Sequence, residues 1–175
     1  MIKKYKSFDT ERILLRAASL EDADLVFNLL NTPKWKEFIG DRNVNNQDDA
    51  KQYIEERMIP QYERLGYGNY TMIRKADKVK MGFCGLYDRE VLEGVDIGFA
   101  ILPEFEGKGY TFEAASLMMD IGFNTIGLST IQGITSKKNT ASQALLRKLG
   151  LEFIGPFLLP DDDEEILLFQ KKSEG

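Results

Sequence analysis

The chain has no histidine and a single cysteine, Cys84, in 175 residues. Without histidine there is no Ser-His-Asp triad and no Cys-His pair. One cysteine cannot close an internal disulfide, and with no histidine beside it no zinc ligand set can be assembled. No metal is expected. Cys84 sits in the apolar run Met81-Gly82-Phe83-Cys84-Gly85-Leu86 and reads as a small buried residue. Basic residues are outnumbered, 23 Lys and Arg against 28 Asp and Glu, giving a net charge of -5. That balance argues against a nucleic-acid partner held by a basic surface. No segment approaches the roughly 20 apolar residues of a membrane span, and no apolar stretch follows the basic Met1-Ile2-Lys3-Lys4-Tyr5-Lys6. A cytoplasmic protein with no membrane partner is expected. Low-complexity stretches and internal repeats are also missing, so residues 1–175 are expected to form one domain around one core.

The most informative segment present is Pro103-Glu104-Phe105-Glu106-Gly107-Lys108-Gly109-Tyr110-Thr111. It joins the strand-like run Val95-Asp96-Ile97-Gly98-Phe99-Ala100-Ile101-Leu102 to a helical pattern. Two glycines around a lysine leave main-chain N–H groups uncovered at a helix start. Unpaired first-turn amides and the helix dipole together make an anion site, so a phosphate-bearing ligand is the first expectation. A P-loop requires Ser or Thr after the lysine, where this chain has Gly109. A dinucleotide-binding fingerprint requires a third glycine where Phe112 stands. The alternative without any ligand is a plain strand-to-helix turn.

Elsewhere the pattern alternates strands and helices. Arg12 to Arg16 reads as a strand. Ser19 with Asp22 opens a helix whose apolar face is Ala23, Val26, Phe27 and Leu30, stopped by Thr32-Pro33. Gln47-Asp48-Asp49 opens a second helix that Pro60 should kink. Strands follow at Asn69 to Arg74, Lys80 to Tyr87 and Val95 to Leu102, then a helix from about Thr111 to Thr125. A strand over Thr130 to Thr135 precedes a helix capped by Asn139 and ended by Gly150. Two closing strands, Phe153 to Leu159 and Glu165 to Gln170, flank the acidic turn Asp161-Asp162-Asp163-Glu164, which reads as a solvated hairpin tip. The order is β-α-α-β-β-β-α-β-α-β-β, an α/β (α+β) class with a mixed sheet and helices on its faces.

Three segments in this order resemble the GNAT N-acetyltransferases. Glu106-Gly107-Lys108-Gly109-Tyr110-Thr111 resembles their acetyl-CoA loop. Asn139-Thr140-Ala141-Ser142-Gln143-Ala144-Leu145-Leu146-Arg147-Lys148-Leu149-Gly150 looks like their Asn-led second signature. Glu11-Arg12-Ile13-Leu14-Leu15-Arg16 with Leu20-Glu21-Asp22-Ala23-Asp24 resembles the opening of the branch holding the ribosomal-protein N-terminal (alanine) acetyltransferases. The resemblance implies a mostly antiparallel seven-stranded sheet and acetyl transfer from acetyl-CoA to a primary amine through a tetrahedral intermediate. The acceptor is a protein N-terminal α-amine or a small-molecule amine, and the chain a monomer or homodimer.

The resemblance also implies roles for individual residues. Glu106, Gly107, Lys108, Gly109, Tyr110 and Thr111 would hold the diphosphate through their amides. Ile97 and Phe99 would pair by main chain with the pantetheine arm, where a free N–H can stabilise an oxyanion. Asn139 and Arg147 would also contact the cofactor, with Lys137 and Lys138 near its 3′-phosphate. Asn139 can equally serve as a helix cap. Asp96 stands at the acidic position of the central strand as base or amine-binding carboxylate, with Glu93 and Glu113 as rivals. Ser142 is the candidate acid, because the family's usual tyrosine position holds Leu146. Trp35, Phe38 and Tyr67 are candidate walls of a substrate groove. Glu106 and Thr111 depart from the family's loop pattern, and with Leu146 they leave open a non-catalytic acyl-CoA-binding module. A nucleotide-binding domain is a further alternative.

Overall fold

The computed structural model describes residues 2–160 and 163–175, so Asp161 and Asp162 of the expected hairpin tip lie outside the described residues. Eight strands form one sheet in the order β1-β2-β3-β4-β5-β6-β8-β7. They are β1 Ser7–Asp9, β2 Ile13–Ala17, β3 Asn69–Arg74, β4 Lys80–Asp88, β5 Val95–Ile101, β6 Thr130–Ser136, β7 Glu152–Leu158 and β8 Glu165–Lys172. The helices are α1 Ala23–Leu30, α2 Pro33–Phe38, α3 Gln47–Tyr53, α4 Ile59–Leu65, α5 Tyr110–Asp120 and α6 Thr140–Lys148. The sheet is mixed and mostly antiparallel, as expected, but has eight strands rather than seven. The extra one, β1, pairs three residues with β2, and so short a strand carries no alternating pattern to read.

Two further departures have local causes. Thr32-Pro33 ends α1 as expected but also starts α2, because the Thr32 hydroxyl accepts the Trp35 N–H at 3.3 Å and Pro33 occupies the first turn, where no donor is needed. Pro60 does not break its helix outright. A π-turn, Ile54–Met58, precedes it, and the Ile59 N–H reaches back five residues to the Ile54 carbonyl. Proline's missing N–H leaves one carbonyl in the ladder without a donor, and the wider turn absorbs the mismatch. A second π-turn, Ile121–Ile126, extends α5 and is closed by Gly127 in a left-handed conformation at φ 87°.

The sheet carries apolar residues on both faces. One cluster joins Ile13, Leu15, Tyr70, Met72, Ile97, Ile131 and Phe169 to Ala114, Ala115 and Met118 of α5 and to Leu146 of α6. The other packs Leu25, Val26, Leu29, Ala50, Ile54 and Met58 against Phe83. Cys84 is buried, as its surroundings imply. Among the described residues no helix is long and apolar enough to cross a membrane.

The feature that positions the site lies mid-sheet. β5 pairs with β4 along its whole length, from Asp88↔Val95 to Gly82↔Ile101. Its other neighbour, β6, runs parallel and touches it only at Val95↔Ile131 and Asp96↔Gln132. Beyond Asp96 the two strands part, and β6 stays with β8. The sheet opens into a fork.

Candidate active site

The open edge of β5 has a defined polarity. The Leu102 N–H bonds the Met81 carbonyl of β4 at 2.8 Å. Since successive strand residues point their amides to opposite edges, those of Ala100 and Gly98 also face β4. The main-chain groups of Phe99 and Ile101 therefore face the fork with no strand to receive them, whereas the Ile97 N–H falls within the Asp96↔Gln132 pairing with β6.

The fork leads into the glycine turn. After a single 3₁₀ turn, Pro103–Phe105, the chain passes Gly107 at φ 74° and Gly109 at φ 81° and enters α5. A left-handed conformation strongly favours glycine at both positions. No atom lies within 4 Å of where a Gly107 side chain would begin, so that backbone faces open space. Gly109 caps α5 without a side chain, and the first bond of the helix is Glu113 N–H to the Gly109 carbonyl at 3.1 Å. The amides of Tyr110, Thr111 and Phe112 therefore lack acceptors within the helix.

Positive charge supports the turn from behind. Arg12 donates to the Lys108 carbonyl at 3.1 Å, pairs with Glu113 at 2.8 Å and stacks on the Tyr110 ring at 4.3 Å. Arg74 lies 5.2 Å from the Phe105 ring centroid and approaches the Tyr110 hydroxyl, its charge shared with Asp77 at 2.7 Å. Burial works to raise Glu113, but hydrogen bonds from Thr10 and Arg12 outweigh it and hold the carboxyl below its usual range. Glu113 is thus an anchored carboxylate, ill suited to take up protons as a base. Glu106 turns toward α2, where Lys34 holds it at 2.8 Å. That pairing relieves the repulsion a lone carboxylate would exert on a bound anion.

A cleft of about 380 Å³ unites these parts. Phe99, Glu106, Gly107, Gly109, Tyr110, Thr111, Asn139 and Ser142 all line it, together with Trp35 and Phe38. Asn139 accepts the Ser142 N–H at 3.1 Å, so it caps α6 while bordering the cleft. Other expectations are corrected. Lys108 stands on the turn, but its side chain is not part of the wall. The Ile97 side chain is buried in the core, leaving only its main chain at the edge. Arg147 does not line the cleft; it sits in the last turn of α6 with its guanidinium 5.1 Å from the Phe169 ring. Lys137 pairs with Glu165 at 3.0 Å, Tyr67 belongs to the core, and Glu93 is exposed. Leu146 fills the space above Gly133, where a side chain would clash with it.

Asp96 stands at the fork, the last β5 residue paired with β6, and is 2% exposed. Burial pushes its carboxyl up to about 6, against the opposing pull of the Arg89 guanidinium at 2.8 Å and of the Ile134 main-chain N–H. Its Oδ1 has no hydrogen-bond partner among the described residues. It does not line the cleft itself. Sequence reasoning missed the supports: Arg12, Phe105 and Leu145 lie inside the motif segments without a role of their own, and Arg74 and Lys34 belong to no motif. Only their convergence in space identifies them. Among the described residues no group of acidic, cysteine or histidine side chains could hold a metal ion.

The family profile described as "Acetyltransferase (GNAT) domain" matches residues 12–152. The uncharacterised N-acetyltransferase YoaA of Bacillus subtilis is 26% identical over 145 residues, covering 82% of this chain and 81% of its own. Spermidine N(1)-acetyltransferase of Escherichia coli is 32% identical over 85 residues, only 48% of this chain and 46% of its own. Among solved structures, the ribosomal L7/L12 α-N-protein acetyltransferase RimL in complex with coenzyme A superposes with a TM-score of 0.82 at 16% identity. That match covers 97% of this chain and 99% of RimL, and it speaks for the fold.

Proposed function

Because the chain belongs to the GNAT acetyltransferase domain family, we propose that it transfers the acetyl group of acetyl-CoA to a primary amine. One observation carries this reading: an unpaired strand edge at a sheet fork runs straight into a turn of unpaired amides. A ligand with an amide-bearing arm and a diphosphate matches both. The family-level likeness to the ribosomal-protein branch and the partial likeness to a polyamine enzyme leave the acceptor as a peptide N-terminus or a small amine. When bound, acetyl-CoA supplies an activated acyl group, and the residues of the chain supply the rest.

In this reading the amides of Gly107 to Phe112 take the diphosphate, backed by Arg12 and Arg74. The outward N–H of Phe99 stabilises negative charge on the acyl oxygen, a service whose removal costs roughly 3 kcal/mol in comparable sites. The attacking amine must be neutral, and Asp96 serves as the base that takes its proton, its raised carboxyl suiting the task. Ser142 at the start of α6 is the candidate for returning a proton to the thiolate. An alkyl thiol with a pKa near 8.5 needs little such help.

The test is thiol release from acetyl-CoA in the presence of an amine panel: an alanine-led peptide, spermidine and an aromatic monoamine, with coenzyme A binding followed by calorimetry. Binding plus release dependent on at least one amine supports the enzyme. Heat without release on any amine would favour a second reading, a non-catalytic acyl-CoA-binding module. The engagement of Asp96 by Arg89 and the core position of Leu146 are its grounds. No heat with coenzyme A would refute both.

A further inference from the structure

A buried side-chain donor in the wall of the cleft lacks a partner among the described residues. Trp35 borders the cleft, and its indole Nε1 is buried without an acceptor among the described residues. A buried donor that meets neither protein nor water is disfavoured, so its persistence needs a reason. Its surroundings provide one. Trp35 belongs to α2, which Thr32 caps and which Lys34 straps to the glycine turn through Glu106. The ring packs against the apolar cluster of Leu29 and Phe83 and lines the cleft together with Phe99, Ala100 and Ile101, near the outer end of β5. Ala100 lies four residues beyond Asp96, about 13 Å along the strand from the fork. The indole thus stands between the place of the thioester and the place of the diphosphate, over the stretch that a pantetheine arm would cross.

We propose that the Trp35 indole N–H donates to an amide carbonyl of the pantetheine arm, so that α2 clamps the bound cofactor. This rests on the acetyl-CoA reading above. An acceptor amine is a poorer occupant of this wall. Leu29, Phe38 and Ile39 beside it are apolar, and the Glu106 carboxylate on the lining is engaged by Lys34. The nitrogen is covered in the present conformation, so the ring or the short helix must give slightly as the arm enters. The bond therefore forms together with closure of α2.

Trp35 is the only tryptophan of the chain, so its emission reports on this event alone. Coenzyme A is expected to change the intensity or wavelength of that emission with the same midpoint as its calorimetric binding. Adenosine diphosphate, which carries the diphosphate without the arm, is expected to compete for the site and leave the emission unchanged. Trp35→Phe, checked for a parental melting temperature, is expected to weaken coenzyme A about three- to tenfold, the span of one net hydrogen bond. The inhibition constant of adenosine diphosphate should stay constant. An equal emission response to adenosine diphosphate, an unaltered coenzyme A affinity in Trp35→Phe, or a response to the acceptor amine alone would each overturn the clamp. Failure of the parent chain to bind coenzyme A would instead remove the cofactor reading itself, and calorimetry separates that result from the others.

Discussion

Among the described residues two aspartates are buried, and they are treated in opposite ways. Asp22, fully buried, is held by Arg16 at 2.7 Å, Lys80 at 3.2 Å, the Thr71 hydroxyl at 2.8 Å and the Ser19 amide at 3.0 Å. Burial works to raise its pKa, but the bonds from Arg16, Ser19 and Thr71 outweigh that and bring it below the usual carboxylate range. Asp96 is nearly as buried and has one charged partner, one oxygen without a bond, and a carboxyl pushed up to about 6. The same side chain is an anchored carboxylate where donors converge on it and carries a raised pKa where they do not. Satisfaction, more than burial, separates structure from chemistry here.

The comparison breaks most visibly at Asp22. Asp22→Ala strips a buried carboxylate from two cations, a change that costs about 3–5 kcal/mol. Arg16 and Lys80 keep 27% and 29% of their side chains exposed and can rehydrate, so the lower end, about 3 kcal/mol, is expected. Thermal melts should show a fall of roughly 6–12 °C at about 2–4 °C per kcal/mol. The protein that remains folded should keep its acetyl-transfer rate.

Asp96→Asn should do the reverse. Turnover is expected to fall at least about tenfold, or about 1.4 kcal/mol, with coenzyme A affinity retained. The melting temperature at pH 7.5 should be no lower than that of the parent. A slow enzyme with a lowered melting temperature would reduce Asp96 to a second structural anchor.

Acidity sharpens the contrast without any mutation of the other site. Asp22 has a lowered pKa in the folded state. Its stabilisation is complete above the unfolded value near 3.9 and is lost as the pH falls through the folded value. Asp96 has a raised pKa. Its effect has the other sign: the folded state is penalised progressively as the pH rises from about 3.9 to about 6, and fully above that. The stability gap between parent and Asp22→Ala should therefore shrink below pH 4, whereas that between parent and Asp96→Asn should develop between pH 4 and 6. In the same window, kcat/KM corrected for amine ionisation should rise with pH through about 6 in the parent and be flat in Asp96→Asn.

The smallest effect belongs to a third carboxylate, Glu106, which is only partly covered and paired with Lys34. Glu106→Gln should tighten coenzyme A by no more than about fivefold in low salt, with the gain fading as ionic strength rises. Lys34→Ala should weaken it by a similar factor, because the carboxylate is then left unpaired beside the diphosphate.

Much of this was readable before any coordinates. Ser19 and Asp22 announced a capping box, and both of its bonds form. Gly107 and Gly109 announced left-handed turns at a helix start, Asn139 announced the cap of α6, and Pro60 announced a disturbed helix. Each of these signals is local, carried by a few neighbouring residues whose backbone preferences hold in any fold. The errors were of another kind. Strand β1 was too short to show a pattern, and Thr32-Pro33 looked only like an ending. Arg147 was given to the cofactor because it lies on the right helix, although the far turn of α6 carries it to Phe169.

By itself, then, the order of residues determined the elements, the glycine turn with its bare amides, and the exclusion of histidine-dependent chemistry and of zinc sites built on cysteine and histidine. It also selected the acidic position in β5. Only the tertiary structure decided that β5 and β6 part after Asp96, that Arg12 and Arg74 converge behind the turn, and that Asp22 is satisfied while Asp96 is not. The physical reason is distance: turn and cap preferences act over three or four residues, whereas a carboxylate's charge state depends on groups that the chain brings together from far apart.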